Sequence, residues 1–122
     1  MTPYITPTEE QFEQLRSAAD GGPIVMVNLL RFKPGGAEAY GRYAAAVAPL
    51  LEQVGGRIVN TVACRQAVVG PEDERWDVVA LVEYPSVQAF LQMVENPDYL
   101  ATHEHREAGL ADSRLILSSP VS

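Results

Sequence analysis

A chain of 122 residues, 47% apolar and 20% charged, has the composition of a globular protein and the length of one domain. Its net charge of −7 repels phosphate backbones and anionic lipid, and its nine basic residues are scattered, so nucleic acid is not an expected partner. No apolar stretch approaches the ~20 residues that span a bilayer, and the start Met1-Thr2-Pro3-Tyr4 does not read as a secretory signal, so no membrane contact and a cytoplasmic location are expected.

Thr6-Pro7-Thr8-Glu9 places a hydroxyl at a helix N-cap, proline at the first helical position and a carboxylate three residues after the cap. The pattern predicts about three helical turns with a narrow stripe of Phe12, Leu15, Ala18 and Ala19, stopped by Gly21-Gly22. The run Ile24 to Leu30 is short, β-branched and apolar apart from Asn28, which predicts a strand buried on both faces. After the Lys33-Pro34-Gly35-Gly36 turn, Tyr40, Tyr43, Ala44, Val47, Leu51 and Val54 recur at helical spacing up to Gly55-Gly56, with Pro49 as an expected kink.

From Arg57 to Val69 valines alternate with Asn60, Arg65 and Gln66, the polarity of an edge strand. Cys64, the single cysteine, excludes an intrachain disulfide and is expected as a small buried hydrophobe in that strand. A hairpin loop at residues 70–74 leads to a strand from Arg75 to Tyr84, with Trp76, Val78, Ala80, Val82 and Tyr84 on one face. Pro85-Ser86 opens one helix, Asn96-Pro97 opens another reaching Ala111, and Arg114 to Ser118 is a closing strand.

After the leading helix the order is therefore β-α-β-β-α-α-β. That is the split βαβ pattern of an α+β, ferredoxin-like fold: a four-stranded antiparallel sheet with an extra N-terminal helix and an extra helix before the last strand. Residues 1–122 read as one domain, with 1–22 a helical extension. The first and third strands, the two most apolar, belong in the centre of the sheet. Right-handed crossovers put both connecting helices on one face and leave the other apolar and open. A second copy of the sheet, giving a homodimer, is the expected cover, because closed two-fold dimers are the commonest assembly; the competing cover is the leading helix folded back in a monomer.

Topology brings Arg31, Tyr40, Tyr43, Trp76, Asp112 and Arg114 toward one end of the sheet, where a cleft between sheet and helices is the expected site. Asn28 offers a donor and an acceptor for a carbonyl or enol, against the plainer role of an amide bonded to backbone. Trp76, Tyr40 and Tyr43 suit aromatic walls or ordinary packing. Tyr99, His103, Arg106 and Leu110 share one stripe of the last helix. In that stripe His103 has the chemistry of a general base and Arg106 that of a bidentate carboxylate or enolate holder. His103 and His105 point about 200° apart on a helix, and His103 with Glu107 lacks a third ligand, so no metal is expected. No phosphate loop or nucleophile elbow occurs, which removes phosphoryl transfer and serine hydrolysis.

Several residue groups between about 23 and 118 together resemble the bacterial "domain of unknown function thirteen-thirty" family of the dimeric α/β-barrel superfamily. They are Val27-Asn28-Leu29 with Arg31-Phe32, Tyr40 and Tyr43, Gly55-Gly56-Arg57, Trp76-Asp77, Tyr84-Pro85-Ser86 with Ala89-Phe90, Pro97-Asp98-Tyr99, His105-Arg106, Leu110 and Asp112-Ser113. The resemblance implies a ferredoxin-like protomer pairing sheet to sheet, with a cavity between each sheet and its own helices. It supplies no activity. Distant relatives in fold include cofactor-independent, antibiotic-biosynthesis-type monooxygenases and haem-degrading enzymes. The latter use an Asn, a Trp and a His; Asn28 and Trp76 sit on the matching strands, but His103 falls on a later helix, so haem is not expected.

Two functions follow. One is an enzyme without cofactor, acting on a small aromatic or enolisable compound, with His103 taking a proton, Asn28 and Arg106 stabilising the oxyanion, and Trp76, Tyr40, Tyr43 and Arg31 binding substrate. The other is a non-catalytic small-molecule-binding or structural dimer.

Overall fold

The computed structural model describes residues 3–18 and 21–121. In chain order its elements are α1 (Glu9–Ser17), β1 (Ile24–Phe32), α2 (Gly36–Gln53), β2 (Arg57–Ala63), β3 (Val78–Tyr84), α3 (Val87–Glu95), α4 (Pro97–Leu100), α5 (His103–Gly109) and β4 (Leu110–Ser118). No helix of the described residues is long and apolar enough to cross a membrane. The four strands form one antiparallel sheet in the order β2-β3-β1-β4, the ferredoxin-like arrangement, with β1 and β3 in the centre as their composition requires.

Register assigns every side chain to a face. Ile24, Met26 and Leu30 are 3%, 3% and 1% exposed and point toward the helices, with Tyr84 and Val82 beside the first two. Their alternates Val25, Val27 and Leu29, with Val79 and Leu81 on β3, are only half-buried. The expectation of a strand closed on both faces is thus met on one face only, because among the described residues no layer covers the second. The leading helix does not supply it: Phe12 and Leu15 join the core between sheet and helices, and Arg16 reaches Glu95 of α3 at 3.0 Å.

Several boundaries differ from those the sequence suggests. The α1 cap is Thr8 rather than Thr6: the Thr8 hydroxyl accepts from the Gln11 amide while the Gln11 side chain accepts from the Thr8 amide, a reciprocal capping box. Ala19 lies outside the described residues. Ala44 is exposed; α2 buries Gly36, Ala39, Tyr43, Leu50 and Leu51 instead. β2 and β3 pair only from Ala63 opposite Val78 inward, followed by the Cys64 amide on the Asp77 carbonyl. Residues 65–75 have no strand to pair with, so β2 ends six residues early, Trp76 precedes β3, and Cys64 is exposed rather than buried.

The last helix is also broken. The Thr102 hydroxyl and amide both bond the Tyr99 carbonyl, at 2.6 and 2.8 Å, which closes a turn between α4 and α5. β4 starts at Leu110 instead of Arg114, since Leu110 opposes Phe32 and Asp112 opposes Arg31. α5 settles against α2 through two glycines, for a Cβ built on Gly36 would lie 2.2 Å from the Gly109 carbonyl oxygen.

Candidate functional site

On the helix-facing side of the sheet, Asn28 stands in one row with Ala80 and Leu115. The neighbouring positions on β1, Met26 and Leu30, are closed, whereas Asn28 and Ala80 are half-buried and Leu115 is 39% exposed. The Asn28 amide nitrogen donates to the carbonyls of Met26 and Ala80, both at 3.4 Å, so its donor serves the sheet. Its oxygen accepts no hydrogen bond from the described residues.

A second group is assembled by α2, α4 and α5. The Asn96 side chain accepts from the Asp98 amide and Pro97 occupies the first helical position, a short α4 that drives Tyr99 inward. Tyr40 and Tyr43, one turn apart on α2, meet ring to ring at 5.3 Å; Phe32 touches Tyr40 at 5.5 Å, and Tyr99 meets Tyr43 at 6.1 Å and His103 at 5.5 Å. The Tyr43 and Tyr99 hydroxyls are 2.6 Å apart. Over the Tyr43 ring, at 5.3 Å, lies the guanidinium of Arg106, 7% exposed, whose Nε donates to the Ile5 carbonyl at 3.2 Å.

No carboxylate pairs with Arg106 among the described residues, although a buried charge is normally matched by one. Burial raises the Tyr43, Tyr40 and Tyr99 phenols above their ordinary range, and the Arg106 charge pulls each back in part. Burial, and then the Arg106 charge, hold His103 below the usual histidine value, with Glu107 opposing. The group thus combines a fixed cation, protonated phenols and a neutral imidazole. Such a set can hold an oxyanion and accept a proton.

A third group sits at the end of the sheet. Asp112, 3% exposed, takes Arg114 at 2.8 Å and Arg31 at 3.6 Å, and accepts the amides of Tyr4 and Ser113 at 2.9 Å each. Burial works against its charge, but the Tyr4 amide, Arg114 and the Ser113 amide outweigh that and keep its pKa low. The Arg114 guanidinium is sandwiched between the rings of Tyr4 at 4.8 Å and Trp76 at 5.2 Å. By register Arg114 and Arg31 share the open face of the sheet with Leu29.

The residues singled out from sequence therefore fall into three sets: Asn28 alone, Tyr40 with Tyr43, His103 and Arg106, and Arg31 with Trp76. No hydrogen bond, ion pair or ring contact links Asn28 or Trp76 to His103 or Arg106 among the described residues. Tyr99, which the sequence places on the same stripe without a role, is announced only by its four-residue spacing from His103. Ile5 and Tyr4 have no such signal, since their partners lie about a hundred positions away. Two surface grooves beside α1, of about 340 and 370 Å³, are lined by residues such as Arg16, Gln92 and Phe12 and take in none of the candidates.

A family model described as "Domain of unknown function (DUF1330)" matches residues 29–119. A crystal structure of a protein of unknown function from Rhodopseudomonas palustris is 41% identical over 99% of both chains, with a TM-score of 0.93. SnoaB, a cofactor-independent oxygenase from Streptomyces nogalater, is similar at 20% identity, 82% of this chain and 94% of its own, TM-score 0.59. A dimeric protein of unknown function with a ferredoxin-like fold, from Bacteroides fragilis, is similar at 11% identity, 81% of this chain and 97% of its own, TM-score 0.56. At these last two identities the likeness is one of fold. No curated protein matches the chain.

Proposed function

The chain belongs to the Domain of unknown function (DUF1330) family, and from that premise we propose that it is a homodimeric, cofactor-independent protein that binds a small aromatic or enolisable compound through an oxyanion held by Arg106. The observation that carries this reading is a buried guanidinium over the Tyr43 ring with no acidic partner among the described residues. Replacing the hydration of a cation with rings and one carbonyl leaves a positive potential, which a carboxylate or enolate completes.

In the catalytic form of the reading, the neutral imidazole of His103 removes a proton from carbon beside a carbonyl. The electron pair passes to the carbonyl oxygen, and Arg106 with the Tyr43 and Tyr99 hydroxyls stabilises the resulting enolate. Tyr40 walls the site, and Asn28 presents its oxygen from the sheet. Arg31, on the open face of the sheet, and Trp76, stacked on Arg114 of that face, lie apart from this site. An enolate is the species that reacts with oxygen without a cofactor, the class of chemistry named for SnoaB. A non-catalytic binding dimer is the second reading, favoured by the commitment of the Asn28 amide to backbone carbonyls.

The dimer is supported by the open sheet face. Val27, Leu29, Val79 and Leu81 are half-buried there, and Val62 and Ile116 are 47% and 50% exposed. A contiguous apolar surface of this kind calls for a second layer.

Calorimetric titration with salicylate and with its uncharged analogue salicylamide tests the binding site. Salicylate alone is expected to bind, and Arg106→Met to abolish that binding while leaving the fold intact by circular dichroism. Equal binding of both compounds would remove Arg106 from the site. Oxygen uptake with anthrone as substrate, lost in His103→Gln, separates the enzyme from the binding module.

A further inference from the structure

Tyr4 and Ile5 belong to no helix or strand, yet four side chains from the far end of the chain hold them. The Tyr4 amide donates to Asp112 Oδ1 at 2.9 Å, the Ser113 hydroxyl donates to the Tyr4 carbonyl, the Arg114 guanidinium lies 4.8 Å from the Tyr4 ring, and Arg106 Nε donates to the Ile5 carbonyl at 3.2 Å. The segment thus meets the buried cation through the Ile5 carbonyl.

Three of these contacts are to backbone atoms and the fourth is to a ring that is 57% exposed. Besides the half-buried Ile5 side chain, the contacts given for the segment are thus polar or to an exposed ring. A peptide carbonyl is also a weaker acceptor for a guanidinium than a charged oxygen, whose hydrogen bonds are roughly twice as strong. The Ile5 carbonyl thus fills the position at Nε that an anionic oxygen would occupy more favourably.

We propose that the Tyr4–Ile5 segment is a displaceable strap: the Ile5 carbonyl satisfies Arg106 Nε until a carboxylate or enolate oxygen of a small organic ligand replaces it, and the strap then lifts from Asp112 and Ser113. This rests on the reading of Arg106 as the anion-holding group and adds how a ligand reaches it. Asp112 and Ser113 are positioning residues, acting on the ligand through the strap.

The Tyr4 amide reports the state of the strap, because its hydrogen bond to Asp112 is lost on lifting. Amide exchange of the full chain, followed by NMR, is compared without ligand, with saturating salicylate and with salicylamide. Salicylate is expected to speed Tyr4 exchange at least tenfold, with salicylamide leaving it unchanged. Ser113→Ala, which removes one strap bond, is expected to bind salicylate about three- to tenfold more tightly. Bound salicylate that leaves Tyr4 as protected as before overturns the strap while the anion site stands. No binding to either wild type or Ser113→Ala overturns the site and the strap together.

Discussion

The hydroxyls of Tyr43 and Tyr99 lie 2.6 Å apart in the interior, one on α2 and the other on α4. One phenol donates to the other, which keeps a proton of its own to offer. Because burial is the leading cause that raises both phenols, the pair stays protonated and acts as a donor. Removing one hydroxyl leaves its partner without that bond, so Tyr99→Phe is expected to cost ~1–3 kcal/mol. The double variant Tyr43→Phe/Tyr99→Phe should cost less than the sum of the singles. A double-mutant cycle by urea unfolding measures the coupling, and strict additivity would show that the two hydroxyls do not depend on each other.

Gly36 and Gly109 allow α2 and α5 to touch backbone to backbone. A methyl group at Gly36 would meet the Gly109 carbonyl oxygen at 2.2 Å, with no flexible side chain to give way. Gly36→Ala is therefore expected to destabilise by ~1–3 kcal/mol, the range for overpacking. Gly41, in the same helix, has nothing within 4 Å of its added Cβ. Gly41→Ala should stabilise by ~0.5–1 kcal/mol through helix propensity. Thermal unfolding of the two variants should move in opposite directions.

The lowered pKa of His103 makes stability depend on pH in a defined direction. The folded state favours the neutral imidazole, so stability is intact above the ordinary histidine value of about 6.5. It is lost as the pH falls from there through the lowered folded value, because the unfolded chain takes up a proton that the folded chain resists. His103→Gln should flatten the stability curve over that window. An unchanged slope in the variant, by urea midpoints measured at several pH values, would show that another group carries the dependence.

Ile116 is half-exposed on the open face, on the edge strand β4 beside Val27 of the centre. Glutamate at this position would desolvate a charge in a sheet-to-sheet dimer and cost nothing comparable in a monomer. Ile116→Glu is expected to shift sedimentation from dimer to monomer with little change in the circular dichroism spectrum. A wild-type chain that sediments as a monomer at high micromolar concentration would refute the assembly itself.

The split βαβ order and the central place of β1 and β3 were legible in the sequence, because apolar alternation, caps and turn residues act over a few positions. Thus Ser86 caps α3 by accepting the Ala89 amide, and Gly55, at φ 81°, ends the run after α2, as local chemistry requires. Where a boundary depends on a partner the same signals fail. Cys64 lies in an apparent strand, but a strand exists only as far as Val78 on the neighbouring chain segment pairs with it.

The composition of the candidate site was partly visible as the Tyr99, His103, Arg106 spacing, which survives the break at Thr102 because α4 and α5 turn the same residues inward. Its charge balance was not. That Arg106 meets Ile5 and the Tyr43 ring but no carboxylate among the described residues, and that Trp76 joins Arg114 rather than Asn28, are facts of contact between residues far apart in sequence. Periodicity fixes which way a side chain faces; only the tertiary structure decides what it faces, since that is set by how whole elements pack.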